Sequence, residues 1–128
     1  MIVGVGVDFV EVERLRRVLA RYGARARQRL FTTRELSDCE SRLDPGECLA
    51  ARFAAKEAAL KALGTGKSPG IRWTDMEVIR EGSGRPRLEL SGEAHARAAR
   101  LGAERAWVSL SHEAGLACAV VLLEAPKT

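Results

Sequence analysis

Apolar positions recur along this chain with two different periods, and the switches between them mark its elements. From Ile2 to Asp8, β-branched residues alternate with glycine, which predicts a strand whose glycine side admits another backbone closely. Val12, Leu15, Leu19 and Tyr22 are spaced three, four and three residues apart, so a helix is expected from about Glu11 to Tyr22. Thr32-Thr33-Arg34-Glu35 fits a capping box opening a short helix, and Asp44-Pro45-Gly46 reads as a turn. A long helix follows from about Glu47 to Leu63, with Gly64 as its terminator. Strands are expected at Asp75 to Arg80 and Arg87 to Leu90, joined through Glu81 to Pro86, and then a helix from Ser91 or Gly92 to Gly102. Trp107 to Leu110 and Leu116 to Glu124 form a last hairpin with Ser111 to Gly115 at its tip. Helices interspersed with hairpin-linked strands predict an α+β fold in one domain, an antiparallel sheet packed with a long central helix.

The long helix poses a problem. At about 100° per residue, Leu49, Phe53, Leu60 and Leu63 form a stripe of large side chains, and alanines fill most of the remaining surface. Such a helix is buried, yet it carries Lys56 within the stripe and Glu57 and Lys61 at its border. An ionised group there costs several kcal/mol unless it is paired or bound to a metal. An ion pair from Glu57 to Lys61, one turn on, is one account. It leaves Lys56 unexplained.

Composition and charge narrow the classes. The 128 residues are 46% hydrophobic and 30% charged, as in an ordinary globular protein. No apolar run approaches the roughly 18 residues of a membrane span. No basic region precedes the apolar N-terminus, so no signal peptide is expected and a cytoplasmic location is. Net charge is +4, but residues 11 to 30 alone hold seven Arg against two Glu. On a continuous helix Arg14, Arg17, Arg21 and Arg25 share one stripe, with Val18 as an apolar contact beside them. That stripe suits an acidic partner. Cys39, Cys48 and Cys118 are odd in number and include no C-x-x-C pair, so they are expected as buried, reduced thiols. Gly4-Val5-Gly6 lacks the third glycine of a dinucleotide fingerprint, and Gly66-Lys67-Ser68 follows a helix where a phosphate loop must precede one. A nucleic-acid module built on the arginine helix would interleave aromatic residues for stacking, and the region offers only Tyr22 and Phe31. Nucleic acid and membrane are therefore not expected partners.

Three stretches taken in order carry a resemblance. "GVGVDFVEVERL", "RFAAKEAALKALGTG" and "VSLSHEAGLACAVVLLE" resemble the signatures of the holo-acyl-carrier-protein synthase type of 4′-phosphopantetheinyl transferase. "DMEVIREGSGRPRLELSG" is similar to the segment that family carries between the last two, so the likeness spans nearly the whole chain. The resemblance implies transfer of phosphopantetheine from coenzyme A to a serine of an apo acyl carrier protein, leaving adenosine 3′,5′-bisphosphate. It implies Mg²⁺ held by Asp8 and Glu57, a hard cation suited to carboxylates and phosphate oxygens. It gives Lys61 the leaving phosphate, and leaves the serine proton to Glu57 or to a water held beside it. Arg52, Lys56, Gly64, Thr65, Gly66, Ser111 and His112 are implied to meet coenzyme A along with Lys61. Arg14, Arg17, Val18, Arg21 and Arg25 become the carrier-docking face, and the short chain implies a homotrimer with coenzyme A between subunits. A carrier of fatty-acid or of polyketide synthesis fits equally. Phe9 departs from the smaller aliphatic residue usual at its place, and Val10 stands where double-length members often place another acid.

Overall fold

A computed structural model describes residues 1–82 and 84–127. The order is β1 (Ile2–Glu11), α1 (Val12–Leu30), α2 (Thr33–Glu40), α3 (Pro45–Leu63), a short 3₁₀ turn (Trp73–Asp75), β2 (Met76–Ile79), β3 (Arg87–Leu90), α4 (Gly92–Arg100), β4 (Arg105–Glu113) and β5 (Leu116–Glu124). Strands β1, β5 and β4 form one antiparallel sheet in that order, and β2 pairs with β3 in a second. The fold is α+β, as the periodicity predicts. The expected β2–β3 link includes Ser83, which lies outside the described residues.

Helix α3 is the axis of the molecule. Asp44 accepts from the Glu47 amide at its N-terminus, Pro45 occupies the first turn, and Gly64 ends it with φ +76°. Ala54, Ala58 and Ala62 pack with the inward residues Ala119, Val121 and Leu123 of β5, while Leu49, Ala50 and Ala51 meet Val12, Leu15 and Leu19 of α1. Small residues on both sides allow close approach. A Cβ on Gly6 would stand 1.9 Å from the Ala58 carbonyl oxygen, and one on Gly4 would stand 2.2 Å from that of Ala62. The glycine alternation is therefore the strand's half of a strand–helix contact.

Several expectations need correction. Helix α1 runs to Leu30 rather than Tyr22, and it is broken at Gly23, whose φ of +64° with ψ of −145° is open only to glycine. Arg25 lies beyond the break, so the four arginines do not share one continuous stripe. Strands β4 and β5 extend to a tight turn at Ala114 and Gly115. Ser111 and His112 consequently lie within β4, opposite Cys118 and Ala117, instead of at a loop tip. Cys39 and Cys48 form a disulfide, and Cys118 is a half-buried free thiol, in place of three reduced, buried ones. The bridge joins α2 to α3, a contact between helices that spacing alone does not reveal.

Candidate active site

Strand alternation places the first carboxylate. Gly4 and Gly6 face α3, so Asp8, two residues on, faces it too. Its carboxyl shares a hydrogen bond with Glu57, which α3 presents from its middle. Lys61, one turn further, lies 3.4 Å from the Asp8 carboxylate and donates to the Val7 carbonyl at 3.1 Å. Its partner is Asp8, not the Glu57 expected from i, i+4 spacing.

Two carboxyls this close do not both ionise freely. Burial pushes Glu57 up, the hydrogen bond and charge of Asp8 push it further, and Lys61 and Arg14 oppose them; the result is about 7. Burial also acts to raise Asp8, but the Glu57 hydrogen bond, the Phe9 amide at 2.8 Å and Lys61 outweigh it and hold it below its ordinary value. Below about pH 7 one proton is thus held between two carboxyls at a half-open position, and a hard divalent cation would take its place. No group of three or more metal-binding side chains occurs among the described residues. The remaining positions on such a cation fall to water or to a ligand's oxygens.

A second feature lies toward the other end of α3. A cleft of about 470 Å³ is lined by Arg42, Asp44, Glu47, Cys48, Arg52, Arg80, Ser111 and His112, with Leu43, Ala51 and Leu110. Arg52 is almost wholly buried; one nitrogen meets the Cys48 sulfur at 3.0 Å and another pairs with Asp38. The Nε atoms of Arg52 and Arg80 are buried with no hydrogen-bond partner. Arg52 and Arg80 give the cleft a cationic wall suited to an anion, and their buried Nε atoms retain hydrogen-bonding capacity that a small side-chain shift could offer to it. Asp8 and Glu57 are not in its lining, but Arg52 and Glu57 are only about 7.5 Å apart along the helix axis.

The residues expected to meet coenzyme A therefore separate. Arg52, Ser111 and His112 converge on the cleft, where the Nδ1 of His112 lies 3.3 Å from the Glu47 carboxylate. Gly64, Thr65 and Gly66 follow the far end of α3, with the Thr65 hydroxyl donating to the Gly66 carbonyl. Lys56 belongs to neither group, and the expectation for it is corrected. Its ammonium is fully buried and fills its three donors with Glu35 at 2.7 Å, the Trp73 carbonyl at 3.0 Å and the Met76 carbonyl. No donor remains for a phosphate. Arg80 and Arg42 were not singled out by the sequence; an arginine closing the apolar run Val78-Ile79 is the available signal for Arg80.

The sequence profile of the 4′-phosphopantetheinyl transferase superfamily matches residues 4–121. The chain belongs to that superfamily. Within it, the holo-[acyl-carrier-protein] synthase of Anaeromyxobacter sp. (strain K) is 50% identical over 97% of either chain. The crystal structure of the holo-[acyl-carrier-protein] synthase from Neisseria meningitidis superposes with a TM-score of 0.87, at 31% identity, over 97% of this chain and 99% of that one. That of Helicobacter pylori, solved in complex with coenzyme A, gives 0.82 at 26% identity, over 94% and 99%. The resemblance drawn from the three signatures is borne out, and with it the phosphopantetheinyl transferase class and the fold.

Proposed function

We propose that this transferase moves 4′-phosphopantetheine from coenzyme A to a serine of an apo acyl carrier protein, with the Asp8–Glu57–Lys61 cluster as its reacting centre. The observation that carries the reading is the pairing of two carboxyls and a lysine beside a cleft with unpartnered guanidinium donors. Asp8 and Glu57 would hold Mg²⁺, which neutralises charge on the coenzyme A pyrophosphate when bound. Arg52, Arg80, Ser111 and His112 would receive the adenosine bisphosphate end, and the Gly64-Thr65-Gly66 turn would meet coenzyme A from the other end of α3. The serine Oγ–phosphorus bond forms as the phosphorus–oxygen bond to adenosine 3′,5′-bisphosphate breaks. The serine proton passes to the ionised Glu57 or to a water beside it, and Lys61 neutralises the leaving phosphate.

The carrier would dock on the first segment of α1, where Arg14, Arg17 and Arg21 are exposed beside Val18, with Arg25 contributing from beyond the break. A homotrimer is supported by the uncovered face of the larger sheet. Val5, Val7 and Phe9 of β1 stand opposite Leu122, Val120 and Cys118 of β5, and Val5 and Phe9 are 58% and 62% exposed. An apolar face of that kind marks an interface. No helix among the described residues is long and apolar enough to cross a membrane, and a cytoplasmic location suits a carrier protein as substrate.

The test is the intact mass of an apo acyl carrier protein after incubation with this chain, coenzyme A and Mg²⁺, beside a chelator control. A gain of one phosphopantetheine that disappears with chelator is expected. No gain with several unrelated carriers would overturn the reading.

A further inference from the structure

The disulfide is not used by the chemistry above, yet it stands in the wall of the cationic cleft. Cys39, on α2, is fully buried; Cys48, in the first turns of α3, is half-buried and lines the cleft. An incoming thiolate can therefore reach only the Cys48 sulfur. Arg52 touches both sides of the bridge, one nitrogen at 3.0 Å from the Cys48 sulfur and another on Asp38, the residue next to Cys39. The state of the bridge thus bears directly on a buried arginine that lines the same cleft and whose third nitrogen, Nε, has no partner.

We propose that Cys39 and Cys48 form a thiol–disulfide exchange site, reacting with low-molecular-weight thiols and disulfides of the glutathione class, whose state sets the affinity of the cleft for its anionic ligand. The thiolate attacks the Cys48 sulfur, the sulfur–sulfur bond breaks, and Cys39 leaves with the electron pair and takes a proton. A second thiol attacks the mixed disulfide and releases Cys48 as a thiolate together with the small-molecule disulfide. Two electrons have passed from two thiols into the bridge.

The bridged form leaves Cys48 neutral, so the Arg52 charge is shared only between Asp38 and the cleft, and α2 is tied to α3 behind it. Reduction releases a thiolate 3.0 Å from Arg52, which competes for that charge and loosens the wall. The ligand accordingly binds the bridged form more tightly. In a cytoplasmic setting such bridges are transient and redox-sensing rather than structural. The ligand's identity as coenzyme A rests on the function proposed above; the exchange site does not.

The experiment equilibrates the full chain in glutathione buffers of graded ratio, with and without adenosine 3′,5′-bisphosphate, the thiol-free end of coenzyme A, then alkylates free thiols in denaturant and counts adducts by mass. One adduct is expected in the oxidised chain, on Cys118, and three in the reduced chain. The saturating bisphosphate should shift the ratio at half-oxidation toward the bridged form by the factor by which reduction raises its Kd, since coupling of binding free energies is reciprocal, and about fivefold is expected. The double variant Cys39→Ser with Cys48→Ser, which can form neither the bridge nor a mixed disulfide there, should bind the bisphosphate with a Kd indifferent to the glutathione ratio. Three adducts at every ratio would overturn the exchange site, and so would a bridge that forms while the Kd for the bisphosphate and the half-oxidation ratio stay fixed in an enzyme that transfers phosphopantetheine. A chain that shows the two-state adduct pattern but transfers nothing would sink the proposed function and leave the exchange site standing.

Discussion

Lys56 of α3 and Glu35 of α2 form an ion pair with both side chains wholly removed from solvent. Glu35 accepts from Lys56, from the Val78 amide at 2.9 Å and from the Thr32 amide at 3.0 Å, so one carboxylate joins α2, α3 and β2. Burial lowers the Lys56 pKa, and Glu35 works against that shift by favouring the charged form. Lys56→Met should therefore destabilise the chain by roughly 3–5 kcal/mol, because Glu35 is left buried and uncompensated. Lys56→Met with Glu35→Leu should recover part of the loss, measured by urea unfolding. A Lys56→Met enzyme of ordinary stability with a raised KM for coenzyme A would instead return Lys56 to the ligand.

Glu57→Gln removes one ionisable oxygen at nearly constant volume from a side chain that has no salt bridge among the described residues. Its circular dichroism and melting temperature should stay close to those of the unaltered chain. Turnover should fall by roughly 10² or more, the scale of several kcal/mol of charge stabilisation at a phosphoryl centre. Near-normal turnover would remove Glu57 from the reacting centre.

What the sequence reveals about this site depends on how local each cause is. The facing of Asp8 toward α3 was legible, since alternation from Gly4 and Gly6 needs only a strand period and a close partner. The Thr32–Glu35 capping box was legible as well, being closed within four residues. The burial of Lys56 was not, because its carboxylate lies 21 residues away in sequence and its other acceptors are backbone carbonyls. Nor was the Arg52–Arg80 cleft, whose walls come from α3, the end of β2 and β4. The apolar spacing of large residues stops at Tyr22, just before the break at Gly23, but the arginine spacing runs through it unbroken and hides that Arg25 lies beyond. Short-range signals placed the elements; the contacts that decide which charges are free came from tertiary packing.

The break at Gly23 makes the docking face testable residue by residue. Arg14 lies on the first segment and is near enough to Glu57 to lower its pKa, so on the proposed docking face it is the arginine nearest the reacting centre by that measure. Arg14→Glu should raise KM for the carrier by roughly tenfold with little change for coenzyme A, and the difference should shrink in high salt. Arg25→Glu should have a smaller effect, because Arg25 is carried on the other side of the break. Equal effects of Arg14→Glu on both substrates would show that α1 is not the carrier's surface.

Acid should weaken the chain at the start of α3. The hydrogen bond from Arg16 at 2.6 Å, and after it the Glu47 amide, hold the Asp44 carboxyl below its ordinary value of 3.8. A carboxyl depressed by folding contributes stability that is complete above its unfolded pKa and disappears as pH falls through the folded one. Protonation would also remove a negative charge from a helix N-terminus. Asn caps a helix about as well as Asp, so Asp44→Asn removes the charge and keeps the cap. The variant should melt below the unaltered chain at pH 7, and the two curves should converge below about pH 4 as Asp44 itself takes up a proton. Melting temperatures that differ by the same amount from neutral pH to acid would show that the ion pair with Arg16 adds nothing to the cap.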